Sequence, residues 1–299
     1  MSEPAASRAP RASTVTLPEV APPFPALLDF LDSRFPQVGR EVWRRRLEAG
    51  AVADDHGAAV GVETPYRPRM RLHYRREVAV EPVIPFEETI LFQDDRLLVA
   101  DKPHYLPVIP SGPWVNECLL YRLMRKTGCE HLVPLHRLDR ETAGLVLFSV
   151  DPGTRARYGG LFMKGRVTKR YEAIARAPSD GRTAWTVEGR IEKGEPWFRV
   201  REVEGVVNAR TRIRIIETRV GFGRFEIEPQ TGKQHQIRVH MARIGCPIVN
   251  DWLYPDLHEE PKTGLEPPLL LLARDLAFED PVTGESRAFH SHGHLAWPA

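Results

Sequence analysis

Residues 134–150, PLHRLDRETAGLVLFSV, join a charged segment to an apolar one. Asp139 lies between Arg137 and Arg140, and the run 143–150 that follows has the length and the Leu, Val and Phe content of a buried strand. Because nearby positive charge favours the charged form of a carboxyl group, we expect Asp139 to be ionised at neutral pH. An ionised carboxylate beside a sheet can act as a nucleophile or a base. The alternative is an ordinary polar turn with a local ion pair.

Short β-branched and Leu-rich runs surround this segment on both sides and are separated by turn residues. They are 89–103, 143–150, 169–177, 185–191, 207–219 and 223–232. Closely spaced strands with few helices between them favour an α+β fold over a doubly wound one. We therefore expect a mixed, mainly antiparallel β-sheet with flanking helices.

A second informative stretch is residues 228–251, EPQTGKQHQIRVHMARIGCPIVND. Ile237, Met241 and Ile244 recur at i, i+4 and i+7, so we expect a helix from about Lys233 until Gly245 stops it, with one apolar stripe against the core. Arg238 is next to that stripe. A partly buried arginine needs a carboxylate partner, which its planar guanidinium group can bind through two hydrogen bonds.

The N-terminal part of the chain differs from the rest in amino-acid composition. Residues 1–23 are rich in Ala, Ser, Pro and Arg, lack the apolar segment of a secretory signal and are expected to form a disordered tail, with a transit peptide as the alternative. Residues 24–80 are expected to form a small α/β module, and 81–89 a linker. The order helix, helix, strand in this module resembles the small RNA-binding domain first seen in a ribosomal small-subunit protein.

Clustered cations in this module suggest an RNA contact, since phosphates attract cations and exposed bases stack on flat side chains. The cations are Arg67, Arg69 and Arg71, followed by Arg75 and Arg76; the interleaved aromatic residues are Trp43, Tyr66 and Tyr74. The alternative is a solvated edge strand whose charges discourage edge pairing.

Overall composition excludes several classes of protein. No apolar stretch is long enough for a membrane span, so we expect a soluble protein. The 42 Lys and Arg nearly balance the 40 Asp and Glu, so a nucleic acid would meet a local patch. Three widely separated cysteines argue against a disulfide framework and favour a reducing cytoplasm. With no hydrophobic stripe beyond the core, a monomer is expected.

Taken together, HRLDRETAGLVLFS (136–149) and TGKQHQIRVHMARIGCPIVND (231–251) resemble the defining motifs of the RluA-type pseudouridine synthases, which isomerise uridine within RNA. Residues 90–112 resemble the segment that opens the catalytic domain of that family, KRYEAIA (169–175) its tyrosine motif and 269–285 its closing strand and turn. The likeness spans roughly residues 88–287, and it implies that 90–299 form the catalytic domain.

The resemblance implies roles for individual residues. Asp139 would be the catalytic aspartate, Arg238 would pair with it, Tyr171 would stack on the target base, and Arg137 would fill the space left by the uridine. The full set of expected RNA contacts is His136, Arg137, Arg140, Lys169, Gln236, Arg67, Arg69 and Arg71. Departures from the family are Gln234, where threonine is common, and His104 and Tyr105, where Ala-Gly is common.

The implied reaction breaks the N1–C1′ bond of uridine, rotates the uracil and joins C5 to C1′, with neither a cofactor nor a metal. The carboxylate would either attack C1′ or remove a proton from C2′. The target base must be flipped out of its stack, at a cost of roughly a few kcal/mol. Two alternatives remain: a noncatalytic RNA-binding or ribosome-assembly factor of the same fold, and another aspartate enzyme with Glu141 as its second carboxylate.

Overall fold

The computed structural model describes residues 7–258, 265 and 267–298. Two compact units are present. The first comprises Met1–Pro82 with Pro110–Asn116, and the second comprises Val83–Ile109 with Glu117–Ala299. Among the described residues, no helix is both long enough and apolar enough to cross a membrane.

The first unit combines two helices with short strands. Its elements are β1 (Ser7–Arg8), β2 (Ser13–Thr16), α1 (Leu27–Arg34), α2 (Arg40–Glu48), β3 (Val52–Ala53), β4 (Arg71–Tyr74) and β5 (Glu77–Val78). Strands β2, β4 and β3 form an antiparallel sheet in that order, and β1 pairs with β5. Leu27 and Leu31 of α1, Trp43 of α2 and Leu72 of β4 are all fully buried in one core. Gly50 follows α2 with φ 65°, the left-handed conformation expected at a helix end.

Two expectations for this unit are corrected. Trp43, Tyr66 and Tyr74 are buried in the core and are not exposed stacking partners for bases, because aromatic side chains are the largest apolar groups that a small unit can bury. The expected disordered tail also contains β2, which pairs with β4. The Leu17 side chain that follows β2 is buried in the same core, which explains why this part of the tail is ordered.

The described residues of the second unit form one large sheet and three helices. Its strands are β6 (Thr89–Gln93), β7 (Leu97–Lys102), β8 (Val133–Pro134), β9 (Ala143–Ser149), β10 (Thr168–Arg176), β11 (Ala184–Lys193), β12 (Val200–Val203), β13 (Ala209–Arg219), β14 (Phe222–Pro229), β15 (Leu271–Glu279) and β16 (Ser286–His290). Its helices are α3 (Leu119–Thr127), α4 (Arg155–Met163) and α5 (Gln236–Arg243).

The sheet runs in the order β12-β11-β13-β14-β10-β15-β9-β7-β6, with β16 beside β15 and β8 beside β9. Neighbouring strands are antiparallel except for β9 and β15, which are parallel. Gly144 makes this parallel contact possible, since a Cβ on it would come within 2.3 Å of the Ala273 carbonyl oxygen. The predicted mixed, mainly antiparallel α+β fold is confirmed.

Helix α5 packs its apolar side on the sheet. Ile237 and Met241 are buried in the same cluster as Ile213 of β13 and Ile227 of β14, as the sequence period predicted. The helix begins at Gln236, three residues later than expected, because His235 has the left-handed φ of 50° and cannot continue a helix. Gly245, with φ 74°, follows its end.

Candidate active site

Asp139 lies in the turn between β8 and β9, at the position where the chain enters the sheet. The amide N–H of Thr142 donates to the Asp139 carbonyl oxygen at 3.2 Å and closes the turn. The next seven residues, Ala143–Ser149, are all buried in β9. The side chain of Asp139 remains 26% exposed, so a rigid strand anchors a carboxylate that an outside molecule can reach.

Arg238 is the buried cation of this site. Its side chain is 1% exposed, and its Nε and Nη2 donate to the two carboxylate oxygens of Asp251 at 2.8 and 2.6 Å. The third nitrogen, Nη1, lies 3.7 Å from Asp139 Oδ2 and 4.0 Å from Glu141 Oε2. Nη1 is buried and has no hydrogen-bond partner among the described residues.

The charge balance around Arg238 follows from these contacts. Burial alone would lower the pKa of the guanidinium group, but its hydrogen bonds to Asp251 and the charges of Asp139 and Glu141 raise it overall. In the same way, Arg140 and Arg238 lower the pKa of Glu141 against the opposing effect of burial. The arginine therefore stays charged, beside a carboxylate that it approaches without a tight hydrogen bond.

His235 approaches the same carboxylate from the other oxygen. Its Nε2 lies 3.7 Å from Asp139 Oδ1, and its Nδ1 lies 3.0 Å from the hydroxyl of Tyr254. Burial lowers the pKa of His235 below its usual value. The imidazole is consequently neutral at pH 7.

Tyr171 is placed by β10, in the middle of the sheet. It pairs with Ile227 of β14 and with Ala273 of β15, and its ring packs partly buried against the core. Burial and the nearby charge of Asp139 raise the pKa of the phenol well above its usual value. The hydroxyl therefore keeps its proton throughout the neutral range.

The end of β7 and the turn after it hold the Asp139 loop through hydrogen bonds to the backbone of that loop. Lys102 is buried, and its ammonium group donates to the carbonyl oxygens of Pro103, Leu106 and Arg140, at 3.0, 2.7 and 3.1 Å. His104 Nδ1 donates to the carbonyl oxygen of Glu141 at 2.7 Å. Burial lowers the pKa of Lys102 to about 7. Two of the three residues that depart from the family pattern, His104 and Tyr105, fall in this turn, and Tyr105 has φ 68°, a conformation that suits glycine.

Two arginines are close neighbours of Asp139 in sequence. Arg140 pairs through Nε with Glu141 Oε1 at 3.0 Å, and Arg137 is exposed without an ion pair to any residue that the structure describes. The cation that faces Asp139 is Arg238, which is distant in sequence. The expected influence of Arg137 and Arg140 on the charge of Asp139 stays a prediction, and the structure adds Arg238 as a buried cation beside the carboxylate.

Two of the expected RNA contacts are used within the protein. Gln236 is buried, and its amide bonds internally with Thr231, Lys233 N–H, the Arg210 carbonyl oxygen and Thr211. His136 Nε2 accepts from the Leu147 amide at 3.0 Å, and burial lowers its pKa to about 3. These bonds give the Gln236 amide and His136 Nε2 partners inside the protein, and the RNA contacts expected of both residues stay predictions.

The remaining expected contacts are accessible. Lys169 in β10 is half-buried, forms no ion pair among the described residues, and has its pKa lowered by burial. In the first unit, Arg69 pairs with Glu19 at 2.8 Å and Arg71 with Asp55 at 3.5 Å. Arg67 is exposed and forms no ion pair within the described part of the chain.

Sequence reasoning missed three residues of the site: Asp251, His235 and Lys102. Asp251 closes the quoted helix motif, so the buried arginine in that motif was a signal that a second carboxylate was needed. His235 immediately precedes the helix and lies outside its apolar stripe, so the helical spacing did not indicate it. Across the described ranges, no group of three or more His, Cys, Asp or Glu side chains is arranged to hold a metal ion.

Comparison with known proteins gives a consistent result. Residues 96–243 match the family described as RNA pseudouridylate synthase. An uncharacterized RNA pseudouridine synthase of Synechocystis sp. is 31% identical over 239 residues, which cover 76% of this chain and 79% of that protein. The large ribosomal subunit pseudouridine synthase D of Haemophilus ducreyi is 29% identical over 72% of this chain and 70% of its own. The tRNA pseudouridine synthase C of Vibrio parahaemolyticus is 29% identical over 67% and 88%, respectively.

The likeness extends to three dimensions. The structure of human RNA pseudouridylate synthase domain containing 4 superposes with a TM-score of 0.53 and 26% identity, covering 69% of this chain and 88% of that one. The matched family region begins just before β7 and ends with α5, so it contains the turn of Asp139, the strand of Tyr171 and the helix of Arg238. Sequence and fold thus agree that this chain belongs to the RluA-type pseudouridine synthases, isomerases that act on RNA.

Proposed function

We propose that this chain converts specific uridines of ribosomal or transfer RNA to pseudouridine, with Asp139 as its catalytic group. The proposal rests mainly on the two nitrogen atoms that face the Asp139 carboxylate. Each of its oxygens faces a fixed nitrogen at 3.7 Å, Oδ1 that of His235 and Oδ2 that of Arg238. The carboxylate is therefore oriented but still open to an incoming ribose.

The chemistry that this carboxylate performs is an exchange of bonds at C1′. The N1–C1′ bond breaks, the uracil turns, C5 bonds to C1′, the proton leaves C5 and N1 gains one, so atoms balance without an external group. Asp139 either forms an ester with C1′ that the uracil later displaces, or takes the C2′ proton and returns it. Both routes need an ionised carboxylate, and the guanidinium group of Arg238 supplies a positive charge 3.7 Å from it.

Substrate binding in this proposal depends on accessible cations near the site. Arg137 is two residues before Asp139, and Lys169 is two residues before Tyr171. Neither forms an ion pair among the described residues. Phosphate contacts from such residues offset the cost of flipping the base, which is about a few kcal/mol. The aromatic face of Tyr171 would stack on the flipped uracil.

We also propose that the protein acts as a monomer in the cytoplasm. Cys118, Cys129 and Cys246 are thiols rather than disulfides, which is compatible with a reducing compartment.

The proposal is tested by mapping pseudouridine at single-nucleotide resolution in ribosomal and transfer RNA from cells lacking this protein. The RNA is incubated with wild-type protein, with Asp139→Asn, or with Asp95→Asn, which changes an exposed aspartate in the turn between β6 and β7. We expect wild type and Asp95→Asn to restore the same sites and Asp139→Asn to restore none. Affinity of Asp139→Asn for RNA should stay within about tenfold, since base flipping and phosphate contacts do not require this carboxylate.

Two results would contradict the proposal. Isomerisation by Asp139→Asn would remove Asp139 from the chemistry. Failure of the wild type to modify any uridine in either RNA class, while it still binds RNA, would favour a noncatalytic RNA-binding protein.

A further inference from the structure

His235 has a backbone conformation that is uncommon for a residue with a side chain. Its φ is 50° and its ψ is 17°, at the position just before α5. Non-glycine residues adopt this left-handed conformation rarely, and His, Asn and Asp are among the side chains that tolerate it best. The conformation ends the preceding turn and directs the imidazole into the site, where its side chain is only 9% exposed.

Tyr254 anchors the far side of the imidazole. Its hydroxyl accepts a hydrogen bond from the amide of Val200 in β12 at 2.8 Å, and it lies 3.0 Å from His235 Nδ1 and 3.2 Å from the Val200 carbonyl oxygen. The two rings are packed edge to face, with centroids 5.7 Å apart and planes at 77°. A buried tyrosine tied to a strand therefore fixes the position of the imidazole.

The near side of the imidazole faces the carboxylate of Asp139. Nε2 lies 3.7 Å from Oδ1, the oxygen that Arg238 does not approach. The other charged groups around the ring are Glu141, Arg238 and Asp251. Three carboxylates and one guanidinium group surround it, and this negative environment favours a hydrogen atom on the nitrogen that points towards Asp139.

We propose that His235 is a positioning residue for Asp139. Its Nε2–H faces Oδ1, and the single proton of the Tyr254 hydroxyl is donated to His235 Nδ1 rather than to the more distant Val200 carbonyl oxygen. A neutral donor restricts rotation of the carboxylate without neutralising its charge. This inference rests on the proposed function, because it assigns a role to a neighbour of the proposed catalytic group.

The role predicts a specific pH dependence. Burial lowers the pKa of His235, opposed by the charges of Asp139, Glu141 and Asp251. Above that pKa the imidazole is neutral and Asp139 keeps its full charge. Below it the imidazolium pairs with Asp139 and withdraws it from the reaction, so kcat falls as the pH falls through the pKa of His235.

The experiment compares two substitutions of His235, one chosen for its backbone conformation and one for the reach of its side chain. His235→Asn suits the left-handed conformation but is too short to place a donor near Oδ1, whereas His235→Gln carries an amide N–H about as far as Nε2. We expect His235→Asn to lower kcat by about ten- to a hundredfold with KM within about threefold, since a misplaced reacting group costs rate more than binding. His235→Gln should recover at least part of this loss.

The pH profile separates positioning from a merely structural role. In His235→Gln the acid limb of kcat should move to lower pH, because the titrating imidazole is gone. Tyr254→Phe should lower kcat less than His235→Asn does, since the ring remains but loses its anchor. His258→Asn, at an exposed histidine outside the site, should behave as wild type in both rate and pH profile.

The outcomes distinguish this inference from the proposed function. An inactive wild type would refute the proposed function, whatever the variants do. With an active wild type, an unchanged kcat in His235→Asn, or an acid limb that stays in place in His235→Gln, would overturn the role of His235. If His235→Asn fails to fold, the rate and acid limb of His235→Gln decide the question.

Discussion

Arg238 connects the stability of the site to its chemistry. Two of its nitrogens are bound to Asp251, and the third faces Asp139 without a hydrogen bond. Burial of an unpaired charge is far more costly than burial of a paired one. Asp251 thus stabilises the cation inside the protein and at the same time keeps it from forming a tight pair with Asp139.

Replacing Asp251 by Asn should damage both properties. The amide can still accept from the amides of Leu253 and Tyr254, which now bond to Asp251 Oδ1, but it cannot neutralise Arg238. We expect the free energy of unfolding to fall by about 3 kcal/mol, measured by urea denaturation. We also expect a lower kcat, because Arg238 then turns towards Asp139.

The control is Asp256→Asn, a nearby exposed aspartate, which should change the unfolding free energy by no more than about 0.5 kcal/mol. Equal stability of the two variants would show that Asp251 does not compensate the charge of Arg238.

For Arg238, the sequence predicted an ion pair with a carboxylate but did not predict that Asp251 would be the main partner. A buried arginine beside an apolar stripe requires a carboxylate, and this reasoning is independent of the fold. Which carboxylate Arg238 binds depends on the segment after α5, which brings Asp251 back to the arginine. This segment has no periodic sequence pattern, so neither the contact with Asp251 nor the 3.7 Å separation from Asp139 could be predicted.

Among the elements, the parallel pairing of β9 with β15 controls where Asp139 lies. The pairing joins Ala143 and Gly144 to Leu272 and Ala273, only four residues after Asp139. Gly144 has φ 110°, which residues with a Cβ avoid, and the Ala273 backbone leaves no space for a methyl group. A change at Gly144 should therefore displace the catalytic turn.

We expect Gly144→Ala to lower the unfolding free energy by about 3 kcal/mol or more, from overpacking and backbone strain combined. The matched control is Gly159→Ala in α4, where a Cβ would have no neighbour within 4 Å and alanine is the better helix former. That variant should be as stable as wild type or slightly more stable. Urea denaturation of both proteins provides the measurement, and equal stability of Gly144→Ala and wild type would contradict the close approach.

The strands themselves were predictable, since short β-branched runs between turn residues mark them locally. Their order was not, because β9 and β15 are separated by more than a hundred residues and only the glycine in AGLVLF indicated a close approach. The start of α5 was placed too early for a related reason. The left-handed φ of His235 prevents an earlier helix start, and the spacing of apolar residues in the sequence does not indicate it.

On the scale of the whole molecule, the first unit offers exposed charge rather than the aromatic stacking that the sequence predicted. Trp43, Tyr66 and Tyr74, expected to stack on bases, are buried in its core, so we expect its exposed arginines to be its main contacts with RNA. Exposed ion pairs such as Arg69 with Glu19 and Arg71 with Asp55 are worth about 0–1 kcal/mol. Phosphates can replace these carboxylates at little cost.

We therefore propose that Arg67, Arg69 and Arg71 contact the RNA backbone, and we test this in the full-length chain with all three replaced by Ala. Each phosphate contact to single-stranded RNA contributes about 0.7 to the slope of log affinity against log salt concentration. Arg67 forms no ion pair among the described residues, so Arg67→Ala alone should lower the slope by about 0.7, and the triple variant by up to about 2. Arg157→Ala, at an exposed position of α4, controls for the loss of one charge. If the triple variant kept the wild-type slope and affinity, RNA binding would depend on the second unit, and these three arginines would be solvated surface charges; β4, paired on both sides, is not the edge strand that the alternative assumed.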